Sequence, residues 1–233
     1  TFDVMSNSWG YTPYFETYQN AGLAGSTSAT TIAAYDYNTR VGRHGLGTVI
    51  VQAAGNDASN ANADGVNTAR SLISVAALDR YGRVTSYSNT GANIWISAGA
   101  ASVTTDLTGS NGYNTKAGTA GDYQSTFGGT SAATPVVAGV VALMLDANEG
   151  LGWRDVKEIL ANSASLTGSI IGGSATYETT GTRFQVIDRN TGAGLVRDGD
   201  SWNDGGRAIS WDYGFGRVNA FAAVRLAEVW TLI

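Results

Sequence analysis

Cysteine is absent from these 233 residues. Disulfides and thiolate metal sites are therefore excluded, and the compartment is left open. Histidine occurs once, at His44, so the chain has a single imidazole for acid–base or metal chemistry. Charge is scarce at 14%, with a net value of −5. A nucleic-acid partner, which needs a basic face, is not expected. The acidic balance is compatible with calcium but does not require it. No apolar run reaches about 18 residues, so no membrane span is expected. Proline is nearly absent, with two residues, whereas glycine is abundant, with 31. That balance points to many tight turns and small-residue packing. With 43% hydrophobic residues, the chain is long and apolar enough for one sizeable domain with its own core.

Periodicity sets out an α/β order. Phe2 to Ser6 reads as a short apolar strand that runs into SNSWG and an aromatic loop, YTPYFETYQNAG. Residues 28–41 read as a helix with Ile32, Ala33, Tyr37 and Val41 on its apolar face. GRHGLG breaks it. Thr48 to Ala53, 71–79 and 93–100 are continuous apolar runs without polar alternation, which suits strands buried on both faces of a parallel sheet. Residues 104–126 read as a long surface loop. Residues 134–147 read as a buried helix, GWRDVKEILANSA as an amphipathic helix, and 165–210 as irregular. Asn219 suits the cap of a last helix. The alternation predicts one α/β domain with a mostly parallel sheet flanked by helices.

Two short stretches carry the chemistry. In FGGTSAATP, Ser131 precedes an apolar run. One reading makes it a helix cap. The other makes it a nucleophile at the positive end of a helix dipole, with its own N–H aimed at a developing oxyanion. Gly128 and Gly129 would let a substrate approach. The letters around it are not those of the G-x-S-x-G elbow. In TVIVQAAGN a buried strand ends on Asn56, either a turn residue or an amide donor to the same oxyanion.

Together QAAGN and FGGTSAATPVVAGVVALML resemble the subtilisin-like serine proteases, and SNSWG, AAGND, ADGVNTARSLISVAAL and DYGFGRVNAF look most like the kexin or proprotein-convertase branch in its bacterial form. The resemblance implies a three-layer α/β architecture, incomplete at the N-terminus, with residues 1–233 forming the C-terminal part of the peptidase domain. It implies that Ser131 is the nucleophile and that Asn56 and the Ser131 N–H form the oxyanion hole. It also implies that Ser8, Trp9 and Gly10 pair with an extended peptide substrate as an added strand, with Ala53, Ala54 and Gly55 as the opposite wall of the pocket. Asp64 matches an acid that would favour Arg or Lys before the scissile bond; an ordinary turn Asp before Gly65 is the alternative. The family further implies secretion, a structural calcium ion and no organic cofactor.

The sequence departs from the kexin pattern in several places. Pro13 stands where an aspartate is expected and YSNTG has Asn89 in place of an acid, which weakens strict dibasic recognition and a calcium site beside the pocket. Asp57, Asn60 and Asn62 offer oxygens, but NANADG lacks the later glutamate of a calcium loop. The family's catalytic order is Asp, His, Ser. His44 falls after SWG and reads as a turn histidine, and neither Asp3 nor Asp36 lies in the family's Asp motif. The expectation is that an upstream part, a partner to this chain, carries the Asp and His, and that this chain alone is inactive. A noncatalytic binding module that lacks a base is the rival reading.

Overall fold

The computed structural model describes residues 2–10, 27–165 and 209–232, with Thr27, 183–187 and 194–198 as backbone only. Four strands, β1 (Val4–Asn7), β2 (Val49–Ala53), β3 (Leu72–Leu78) and β4 (Ile94–Gly99), form one sheet in chain order. All three pairings are parallel. Val4 lies beside Val49, Ile50 beside Leu72 and Val75 beside Ile96, with an irregularity between Ser74 and Val75. Every residue of β2 and β3 is buried, as unbroken apolar strands require when both faces are covered.

Side chains alternate across the sheet, so each strand feeds two cores. On one face Val49, Val51, Ile73, Val75, Ala77, Ile96 and Ala98 pack with α2 (Thr130–Ala147), α3 (Trp153–Ser163) and α4 (Ala220–Val229). On the other, Ile50 and Leu72 meet Ile32 and Tyr35 of α1 (Thr27–Val41). Helices on both faces give the three-layer α/β order expected. The buried stripe of α1 differs from expectation. It is Ser28, Ile32, Tyr35 and Thr39, whereas Ala33, Tyr37 and Val41 are exposed. A tyrosine hydroxyl can be buried once it is hydrogen-bonded. Tyr35 Oη accepts from Asn7 Nδ2 at 3.0 Å and donates to Gln52 Oε1 at 3.0 Å.

α2 begins at Thr130, one turn before the expected start, which places Pro135 inside the helix. By length and composition alone this helix could cross a membrane, where no such span was expected. Here its buried side, including Ala133, Val137, Val141 and Met144, packs on the sheet. α3 buries Val156, Ile159 and Leu160. Asn219 caps α4, its Oδ1 accepting from Ala222 N–H at 3.0 Å. Ahead of it, DYGFGR lies along β4. Ser97 Oγ donates to Gly216 O at 2.8 Å, and a Cβ on Gly214 (φ +62°) would strike the Trp95 carbonyl at 2.4 Å.

The stretch expected as a loop forms an antiparallel arm, β5 (Ser102–Thr105) with β6 (Tyr123–Phe127). Its hydroxyl and amide residues carry no core face, so no apolar alternation announces strands. Two carboxylates order its tip. Asp106 accepts from Leu107 N–H and Asn114 N–H, and Asp122 from Gly109 N–H, each at 2.8 Å. Within the segment expected to be irregular, β7 (Arg183–Ile187) and β8 (Gly194–Asp198) pair antiparallel. Residues 166–182, 188–193 and 199–208 of that segment and the loop holding Pro13 lie outside the described residues.

Candidate active site

A cleft of about 240 Å³ opens where β1 and β2 end and α2 begins. Ligands of open parallel sheets bind at the carboxyl ends of the strands. All nine residues nominated from the sequence, Ser8, Trp9, Gly10, Ala53, Ala54, Gly55, Asn56, Asp64 and Ser131, line this cleft, together with Asp57, Asn67, Asn89 and Thr130.

Ser131 is not a helix cap. The capping position is Gly129 (φ +85°, ψ 173°), and no side chain caps this end. Ser131 sits half-buried in the first turn of an eighteen-residue helix. First-turn N–H groups have no intrahelical acceptor. The Ser131 N–H and hydroxyl both lack a hydrogen-bond partner among the described residues. Its carbonyl is orphaned for another reason, because Pro135 has no N–H to offer the residue four places back. Ser8 fills that role, its Oγ donating to Ser131 O at 2.9 Å. This contact across the cleft ties the end of β1 to the start of α2.

Asn56 is oriented by the same helix end. Its Oδ1 accepts from Thr130 N–H at 2.8 Å and Thr130 Oγ1 at 3.0 Å. A backbone N–H can only donate, so the carboxamide nitrogen must face away from it. Nδ2 has no partner among the described residues. Thr130 Oγ1 in turn accepts from Gly55 N–H at 3.2 Å. A Cβ on Gly129 would stand 3.2 Å from both Asn56 Nδ2 and Oδ1, so close approach and positive φ both require glycine. Asn89 braces the loop beyond. Its Oδ1 accepts from Asp57 N–H at 2.9 Å and Ser59 N–H at 3.0 Å.

The far wall is a polar network. Asp64 is buried, and its Oδ1 accepts from Val66 N–H at 2.9 Å, which is the turn role. Its Oδ2 accepts from Asn67 Nδ2 at 3.0 Å and lies 3.5 Å from where a Gly10 Cβ would stand. Asp64 therefore both closes a turn and lines the cleft. Asn67 also donates to Ala53 O at 3.2 Å and accepts from Ser74 Oγ at 3.1 Å. Beneath Trp9, Gln52 Nε2 donates to the Trp9 carbonyl. The chain Asn7–Tyr35–Gln52 thus holds the 8–10 segment from below. Sequence reading passed over Asn67, Thr130, Gln52 and Tyr35. Only Gln52, a lone amide in an apolar strand, offered a signal.

His44 lies elsewhere. It is exposed, with φ +56°, in the 3-10 turn that leads into β2. β2 separates it from the cleft by five residues, about 16 Å of strand. That turn is held by buried Arg43, which donates to Leu151 O at 2.7 Å and Glu149 O at 3.0 Å. Asp3 pairs with Arg43 at 3.5 Å, and Asp36 is on α1, so neither faces Ser131.

The residues considered for calcium do not form a cage. Calcium takes six to eight oxygens, several from carboxylates. Asn60 Oδ1 accepts from Asn62 N–H and Nδ2, both at 2.9 Å, and Asn89 Oδ1 already serves the 57–59 backbone. Among the described residues no three His, Asp or Glu side chains gather.

Comparison with known proteins agrees with this geometry. A profile of the subtilase family matches residues 1–210. A calcium-dependent protease of Trichormus variabilis is 34% identical over 97% of this chain and 32% of its own length. Proprotein convertase subtilisin/kexin type 4 of Mus musculus is 30% identical over 97% of this chain and 30% of its own. The Aeromonas sobria serine protease, solved with its chaperone, superposes with a TM-score of 0.73 at 25% identity, covering 97% of this chain and 43% of that one. The chain spans about a third of the length of the curated relatives it matches. Over nearly its whole extent it belongs to the subtilase family.

Proposed function

We propose that this chain supplies the nucleophile, oxyanion hole and part of the substrate cleft of a serine endopeptidase. One observation carries the reading. The Ser131 hydroxyl, the Ser131 N–H and Asn56 Nδ2 are all unpartnered among the described residues and share one cleft. In the proposed reaction Ser131 Oγ attacks the carbonyl carbon of a peptide bond, and its proton passes to a general base. The oxyanion that forms takes hydrogen bonds from Asn56 Nδ2, whose amide Thr130 orients, and from the Ser131 N–H. The C–N bond breaks, the base returns its proton to the leaving amine, and water then releases the acyl group from Ser131.

The substrate backbone would pair with residues 8–10 as an added strand. Asp64 would favour a basic residue before the cut, a preference that the kexin-type relatives support only weakly. The one imidazole of this chain lies at the other end of β2. In this reading the base and its orienting carboxylate come from an upstream part of the same peptidase domain, of which residues 1–233 form the C-terminal part. The chain alone is inactive, because serine without a base is a poor nucleophile. Export from the cell is part of the same proposal.

The test is intact mass after a fluorophosphonate probe. One adduct, lost in Ser131→Ala, supports the reading, and the base must then be found on a companion chain in the same spectrum. No adduct with a folded upstream part present sinks it, and favours a noncatalytic binding module. That rival rests on the distant placement of His44.

A further inference from the structure

At the opposite end of the sheet lies a larger groove, about 930 Å³, which the peptidase reading does not use. α1 contributes Asp36 and Arg40, the turn before β3 contributes Arg70 and Ser71, β4 contributes Trp95, and α3 contributes Trp153, Arg154, Lys157 and Glu158. Four cations thus face two carboxylates on a chain whose net charge is −5.

Two observations within it suit an anionic ligand. Lys157 is half-buried and makes no ion pair with a carboxylate among the described residues. Its ammonium donates to Arg70 O at 3.2 Å and Leu72 O at 2.9 Å and lies 4.2 Å from the centre of the Trp95 ring. Between those two carbonyls in sequence stands Ser71, 5% exposed, whose hydroxyl has no hydrogen-bond partner among the described residues. A half-buried ammonium held by two carbonyls and an indole face, with only its neighbour Glu158 to offset it, can still take an anion, and a buried hydroxyl without a partner is costly. Arg154, exposed and stacked on Trp153 at 4.4 Å, guards the same mouth.

We propose that this groove docks an acidic peptide segment, with its carboxylates against Lys157 and Arg154 and its apolar parts on Trp95 and Trp153. The volume exceeds what an inorganic oxyanion fills, and two indoles suit a peptide better than a bare ion. Burial holds the Lys157 ammonium down at about pKa 8, with Arg70 adding to the shift and Glu158 opposing it. Docking should therefore weaken between pH 7 and 9 as that charge is lost.

The experiment is fluorescence anisotropy of labelled hexaglutamate at low salt. It uses Ser131→Ala protein so that failure of the peptidase reading leaves the result intact. Saturable binding is expected, with hexalysine inert. Lys157→Met and Arg154→Ala should each weaken it about tenfold, the size of a charge-assisted contact. Arg154 is exposed, so its variant tests the groove even if Lys157→Met fails to fold. No binding, binding by both variants as tight as that of the parent protein, or displacement by inorganic phosphate at the peptide's own concentration would overturn the proposal.

Discussion

Asn56 shows how one side chain is aimed without being buried. It is exposed, yet two donors from Thr130 settle which end of its amide faces the cleft. Replacing it by leucine keeps the volume and removes the donor. The expected result is a loss of about 10²–10³ in turnover, the size established for such a donor in subtilisin. KM should change little, because the bond strengthens only as charge develops. Steady-state kinetics on the assembled enzyme checks this, and an equal rise in KM would argue for a ground-state contact instead. Ser131 and Asn56 were legible as residues because two short motifs name them. Asn67 and Thr130 were not, since a buried asparagine or threonine is recognised only by the partners that satisfy it.

Among the elements, the start of α2 carries the proposed chemistry. Gly129 stands at φ +85°, Pro135 frees the Ser131 carbonyl, and Ser8 takes it up. Gly129→Ala is predicted to cost about 1–2 kcal/mol for the left-handed backbone. It also pushes a methyl group to within 3.2 Å of the Asn56 amide. We expect a thermal midpoint lower by about 4 °C together with slower fluorophosphonate labelling. A lower midpoint with unchanged labelling would separate the cap from the proposed oxyanion hole. Strands β2 to β4 were readable as unbroken apolar runs buried on both faces, and helix α3 by its amphipathic period. The buried face of α1 was not, because Tyr35 and Thr39 go inward on hydrogen bonds to Gln52 and to the helix's own carbonyls. Hydrophobicity alone ranks Val41 above Thr39 and cannot separate Tyr37 from Tyr35.

Across the whole molecule, the two ends of the sheet carry opposite assignments, a cleft at the carboxyl ends and a cationic groove at the amino ends. The groove bears on stability through Lys157. Its folded pKa, about 8, lies below the ordinary 10.5. Between those values the unfolded chain binds more protons than the folded one, so stability rises with pH across that window. The gain is at most about 3 kcal/mol. Urea unfolding at pH 7.5 and 10 should show it, and Lys157→Met should flatten it. A Lys157→Met protein with the same pH slope would mean that another group is responsible.

The sequence by itself determined the α/β class, the parallel strands, the family and the two motifs that hold Ser131 and Asn56, because apolar periodicity and short turn-and-helix motifs are local properties of the chain. The tertiary structure decided the rest. Ser131 proved to be a first-turn residue and not a cap, Asp64 proved to serve a turn and the cleft together, and Arg70, Arg154 and Lys157 came to share a groove. Each of these depends on partners distant in the chain. Such contacts leave no periodic trace, because the register of the sheet, and not spacing along the sequence, brings them together.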